Sequence, residues 1–140
     1  MDRHIKIYTD GGARGNPGPA AGAFVLIDGG RVFLSETKYL GIRTNNEAEY
    51  SALLLASQWL KKNKEKFFSQ KTKVDFFLDS ELVVRQMNGL YRVKSKSLKF
   101  LVRKIKSHLE SIEGVTFNFI SREKNKLADK LVNQEINENL

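Results

Sequence analysis

"YTDGGARGNPGPAAGAF", residues 8–24, decides how this chain reads. The residues leading into it, "RHIKIYT" (3–9), alternate Ile5 and Ile7 with polar neighbours, the period-two pattern of a strand. That strand is expected to end at Asp10, where a Gly- and Pro-rich loop (11–19) begins. A carboxylate at the end of a strand and the mouth of a loop needs a reason, and the rest of the chain supplies it.

Working outward, "AAGAFVLIDGGRVFLSETKYL" (20–40) places two apolar runs around the turn signal Asp28-Gly29-Gly30, which predicts a β-hairpin. From Thr44 the period changes to that of a helix reaching about Lys64. Leu53, Ala56 and Leu60 share one line, with Ala48, Ala52, Leu55 and Trp59 beside it. "KVDFFLD" (73–79) is a short apolar strand that also ends on a carboxylate, Asp79, and a helix starts directly after it. Residues 95–110 form an amphipathic helix on Leu98, Leu101, Val102, Ile105 and Leu109; "VTFNFI" (115–120) is a last strand, and a helix closes the chain over about 125–137. The order β-β-β-α-β-α-α-β-α predicts an α/β fold, one mixed sheet covered by helices. If helix 44–64 crosses over the sheet, strands one and four become parallel neighbours. Asp10 and Asp79 then lie side by side, and two such carboxylates are tolerated mainly with a cation between them.

Glu49 joins them. On a helical wheel it falls in line with Leu53, Ala56 and Leu60, and an acid on an apolar stripe is costly unless paired or metal-bound. Glu47 points the other way and completes Thr44-Asn45-Asn46-Glu47, a capping-box spacing, so its expected role is structural. Asp129, beside Val132 and Ile136, reads on its own as an ordinary boundary acid. Hard oxygen ligands without His or Cys suit Mg²⁺ or Mn²⁺, and two such ions roughly 4 Å apart activate a water and stabilise a leaving oxygen in phosphodiester cleavage.

Composition narrows the classes further. The 140 residues contain no cysteine, which excludes disulfides, thiolate metal sites and a cysteine nucleophile. No apolar run approaches the roughly 18 residues of a membrane span, so a soluble, cytoplasmic single domain over 1–140 is expected, a monomer by default. The net charge is +8, and residues 85–109 carry Arg85, Arg92, Lys94, Lys96, Lys99, Arg103, Lys104 and Lys106 with no acid. This stretch is either a polyanion footprint or a solvated helix face.

Taken together, "YTDGGARGNPGPAAGAF", "TNNEAEYSAL", "FLDSELVVRQMNG" and "NKLADKLVN" resemble type 1 ribonuclease H, in order and at compatible spacings across residues 5–133. The resemblance implies the ribonuclease H-like fold, a five-stranded mixed sheet of order 3-2-1-4-5 with strand two antiparallel to the rest. It implies metal-dependent cleavage of the RNA strand of RNA/DNA hybrids, leaving 5′-phosphate and 3′-hydroxyl ends. Asp10, Glu49, Asp79 and Asp129 match the metal-binding acids, which lifts Asp129 above its bland reading. Gly11, Gly12, Ala13 and Asn16 match the loop that reads RNA 2′-hydroxyls through its backbone. Asn45, Asn46, Ser80 and Glu81 match minor-groove positions, and Thr44 part of a DNA-phosphate pocket.

Two features depart from the pattern. The loop before the last helix reads "SREKN", without the histidine some members carry there, leaving Glu123, Lys124 or metal-bound water alone as replacements. His4 and His108 lie elsewhere and are expected at the surface. The Trp-containing basic protrusion is missing from "NGLYRVKSKSLK" (88–99), so Arg92, Lys94, Lys96 and Lys99 are the candidates for its DNA-strand contacts and Trp59 is expected in the core. Action on double-stranded RNA stays open, as does a non-catalytic binding module of the same fold; the intact acids weigh against the latter, since they repel nucleic acid.

Overall fold

The computed structural model describes residues 3–67 and 71–140. Its strands β1 (Arg3–Ala13), β2 (Gly18–Asp28), β3 (Arg31–Arg43), β4 (Thr72–Leu78) and β5 (Val115–Phe119) form a sheet of order β3-β2-β1-β4-β5. β2 runs antiparallel to β1 and β3, whereas β1/β4 and β4/β5 are parallel, as expected. Around them lie α1 (Asn45–Lys62), α2 (Lys64–Phe67), α3 (Glu81–Met87), α4 (Lys96–Leu109) and α5 (Lys126–Glu138), with a 3₁₀ turn at Arg122–Lys124. No helix among the described residues is long and apolar enough to cross a membrane.

α1 begins where the sequence places its cap. The Thr44 hydroxyl accepts from the Glu47 amide (3.1 Å) and the Glu47 carboxylate from the Thr44 amide (3.0 Å), so two of the helix's orphan donors are satisfied reciprocally. Its apolar stripe is buried against Ile5, Ile7, Phe24, Leu26, Val74 and Phe76 of the sheet, and α4 packs on α1 through Ile105 and Leu109. Burying Leu53 and Leu60 contributes roughly 1.5–3 kcal/mol each. That is enough to hold α1 down on the sheet and carry Glu49 with it. α5 covers the opposite face, where Val132 and Ile136 meet Ala21 and Ala23 of β2.

The structure corrects one boundary that matters. β1 does not end at Asp10; it continues to Ala13, with Gly11 opposite Gly22, Gly12 opposite Ala21 and Ala13 opposite Ala20. The loop shrinks from 11–19 to residues 14–17. Gly11 and Gly12 read as turn residues, yet glycine here serves packing: a Cβ on Gly11 would stand 2.2 Å from the Ala48 carbonyl group. Only a bare backbone lets the first turn of α1 sit on β1. Trp59 is half-buried at the core's rim, edge-on to Phe33. His4 is at the surface, paired with Asp75, but His108 is half-buried and hydrogen-bonded to Ser57 (3.1 Å), contrary to its expected exposure.

Candidate active site

Asp10 comes from the middle of the extended β1, Asp79 from the residue after β4, and Glu49 from the first turns of α1. Each offers a carboxylate oxygen, and the three oxygens lie within 4.8 Å of one another. Asp10 is 6% and Glu49 8% exposed, so two acids sit desolvated beside a third. The close seat of α1 on Gly11 is what brings Glu49 to Asp10. Asp129, half-buried on α5, stands outside that tight group but lines the same open cleft, of about 480 Å³.

The electrostatics are those of like charges crowded together out of water. Burial, then the charges of Asp79 and Asp129, raise the Asp10 pKa to about 7. Burial, then Asp10 and Asp79, push Glu49 well above its ordinary value, and the two carboxyls share a hydrogen bond. The Gly11 amide opposes both shifts without cancelling them. Glu49 Oε2 is buried with no hydrogen-bond partner. An orphaned carboxylate oxygen facing other acids fits a hard divalent cation, and the donor set is all oxygen.

Around the acids, the cleft wall includes Gly11, Gly12, Ala13, Asn45, Asn46 and Ser80. Asn45 is held in register with the loop: its Oδ1 accepts from the Ala13 amide (2.9 Å) while its own amide donates to Asn16 Oδ1 (3.0 Å). Asn16 and Thr44 face an adjoining hollow shared with Ser95 and Ser97. Ser80 also caps α3 through the Val83 amide (3.3 Å). Glu81, Arg92, Lys94, Lys96 and Lys99 lie outside the cleft wall, and Glu81 is bound to Arg85 (2.9 Å) on the next turn of α3.

Two groups escape the sequence reading. Asn125, 2% exposed, donates through Nδ2 to the Thr9 carbonyl (2.8 Å) and to Asp79 Oδ2 (3.3 Å), tying the start of α5 to β1 and steadying Asp79. The Asn just before "KLAD" was the available signal. In the segment without histidine, Arg122 rather than Glu123 or Lys124 reaches the cleft wall, and it brings a cation to a site full of acids.

Residues 8–135 match the reverse transcriptase-like family. LC11-RNase H1, a protein isolated from compost and solved in complex with an RNA/DNA hybrid, superposes with a TM-score of 0.88. It is 43% identical, over 96% of this chain and 97% of that one. The chain belongs to the type 1 ribonuclease H family. Ribonuclease HI of Halobacterium salinarum is 30% identical over 135 residues, 96% of this chain and 65% of that protein. The bifunctional protein Rv2228c of Mycobacterium tuberculosis is 34% identical over 131 residues, 92% of this chain. The match spans only 34% of the length of Rv2228c, about a third. The chain has the sheet order β3-β2-β1-β4-β5 and places Asp10, Glu49, Asp79 and Asp129 in one cleft.

Proposed function

We propose that residues 1–140 act as one domain, an endonuclease that hydrolyses the RNA strand of RNA/DNA hybrids and leaves 5′-phosphate and 3′-hydroxyl ends. The observation that carries this reading is the packed group of Asp10, Glu49 and Asp79 with its orphaned oxygen, in a cleft that Asp129 also lines. Like-charged groups so close destabilise the fold, and a protein that only bound nucleic acid would gain by losing them. The similarity to a ribonuclease H solved with an RNA/DNA hybrid supports the substrate class.

In this reading the four acids hold divalent metal, Mg²⁺ first and Mn²⁺ as a substitute. Bound there, such ions supply an activated water and charge stabilisation for the leaving oxygen. The chain's own residues do the rest. Asn16 and Asn45 fix the loop to α1, so that the backbone of Gly12 and Ala13 can meet the 2′-hydroxyls of the RNA strand at close range. Gly11 is the less available of the three, because its place is under α1. Asn46 and Ser80 stand at the cleft wall for the minor groove, Thr44 lines the neighbouring hollow, and Glu81 is committed to Arg85. Arg92, Lys94, Lys96 and Lys99 are exposed cations that provide salt-sensitive affinity for the backbone.

Cleavage of end-labelled RNA/DNA, RNA/RNA and DNA/DNA duplexes of one sequence, with Mg²⁺, Mn²⁺ or EDTA, tests the reading. Metal-dependent cutting confined to the RNA strand of the hybrid is expected. Binding of all three duplexes with no cutting in either metal would leave a binding module in its place.

A further inference from the structure

The acid cleft is the first of three hollows in a row. It shares Asn46 with the hollow beside Thr44, and that hollow shares Glu47 and Ser97 with a third, of about 610 Å³, between β3 and the start of α4. The third hollow has the chemistry of neither a protein core nor an ordinary solvated face. Lys38, Arg43 and Lys96 surround Tyr39 and Phe100 there. Phe100 is 57% exposed, an unusual state for a phenylalanine on a helix that has an apolar face of its own to bury. None of the three cations makes an ion pair among the described residues. The one acid in the wall, Glu47, is engaged with the Thr44 amide in the cap of α1.

Aromatic rings set among cations without ion pairs, in an open groove, fit single-stranded nucleic acid. Arg43 donates only to the adjoining Ile42 carbonyl (2.8 Å), and a further cation, Lys104, stands 5.4 Å from the centre of the Phe100 ring. Bases therefore stack on exposed ring surface while phosphates meet the cations. A duplex has its bases stacked on each other and leaves none for a ring. We infer that this groove holds a single-stranded DNA segment continuing from the uncut strand of the hybrid. The inference rests on the proposed function for its choice of strand. If the RNA strand lies over the acids, the hollow beside Thr44 and the groove after it are left to the other strand.

Blunt hybrids, hybrids with a single-stranded DNA extension at either end, and the same hybrids with an RNA extension would be compared as substrates. The parent protein, Phe100→Ala and the pair Tyr39→Ala/Arg43→Ala would each be assayed, with binding of a fluorescent oligo-dT followed in parallel without metal. An extension on one end of the DNA strand is expected to lower KM about tenfold. Phe100→Ala and the pair should remove that gain, leave kcat/KM on blunt hybrid unchanged, and weaken oligo-dT binding. No gain from any extension, a gain that survives both variants, or an equal gain from RNA extensions would overturn the assignment. If blunt hybrid is not cut at all, the proposed function has failed instead, and the oligo-dT measurement still decides whether the groove binds DNA.

Discussion

The acidic cleft and the basic segment from Arg85 to α4 are both charged, but opposite physics governs them. In the cleft, like charges are forced together and desolvated by packing that would be favourable without them: the apolar stripe of α1, the bare backbone of Gly11 and the buried Asn125 each push acids inward. Along 92–99 the cations stand apart in water, held mainly by α4 itself and by Gln86 donating to the Arg92 carbonyl (3.2 Å). A protein tolerates the first arrangement only for something that binds there, whereas the second costs little and needs no partner to persist. Single changes should therefore act steeply in the cleft and shallowly on the basic face.

The steepest change is Asp10→Asn. Hybrid cleavage should fall by about a thousandfold or more while hybrid binding persists, which end-labelled cleavage and a filter-binding assay would read. Activity near the parent level would mean that the cluster is not the site.

Gly11→Ala comes next. The new Cβ meets the backbone of Ala48 rather than a movable side chain, so α1 must lift from β1. A loss of about 2–4 kcal/mol in urea unfolding is expected, with activity lost as Glu49 moves. Gly12→Ala, whose Cβ would meet only Val132 at 3.7 Å, should fold normally and separates packing from substrate contact.

The cleft should also make stability depend on pH. Asp10 titrates near 7 in the folded protein and near 3.8 when unfolded, so between these values the folded state binds more protons. The contribution of this group to stability is therefore fully present below about pH 4, is lost as pH rises towards about 7, and then levels off. A shift of this size corresponds to up to ~4 kcal/mol. Urea unfolding in EDTA at steps from pH 4 to 8 would show it. A flat profile would contradict the crowding of the acids.

Smaller effects complete the contrast. Glu47→Ala should cost about 1 kcal/mol through the cap of α1, measured by thermal unfolding. Lys94→Ala should leave kcat unchanged and reduce the slope of log Kd against log salt by about one. A large loss of kcat would place Lys94 in the cleft's chemistry and break the distinction.

The same contrast explains what the sequence could reveal. Glu49 was legible because a wheel puts it on the apolar side of its helix, and Glu47 because the capping spacing is local; both are where they were expected. The hairpin and the crossover pointed to the neighbours β2/β3 and β1/β4, whereas the full order, with β5 beside β4, came only from the family resemblance. The end of β1 was misjudged because Gly11, which signals a turn in isolation, is here demanded by a helix more than thirty residues away in sequence. Asn125 was missed for a related reason, since its partners Thr9 and Asp79 are distant in the chain and its own neighbourhood suggests only a helix start. On the basic face, composition gives the sign of the charge and nothing in it places each cation against a strand.

Thermal unfolding of the parent and Asp10→Asn proteins at pH 8, in EDTA and along a Mg²⁺ titration, asks most directly whether the acids are crowded together for a cation. The parent is expected to melt lower than Asp10→Asn in EDTA and to gain several degrees with Mg²⁺, whereas Asp10→Asn should gain little. Equal melting temperatures in EDTA, together with equal responses to Mg²⁺, would contradict it.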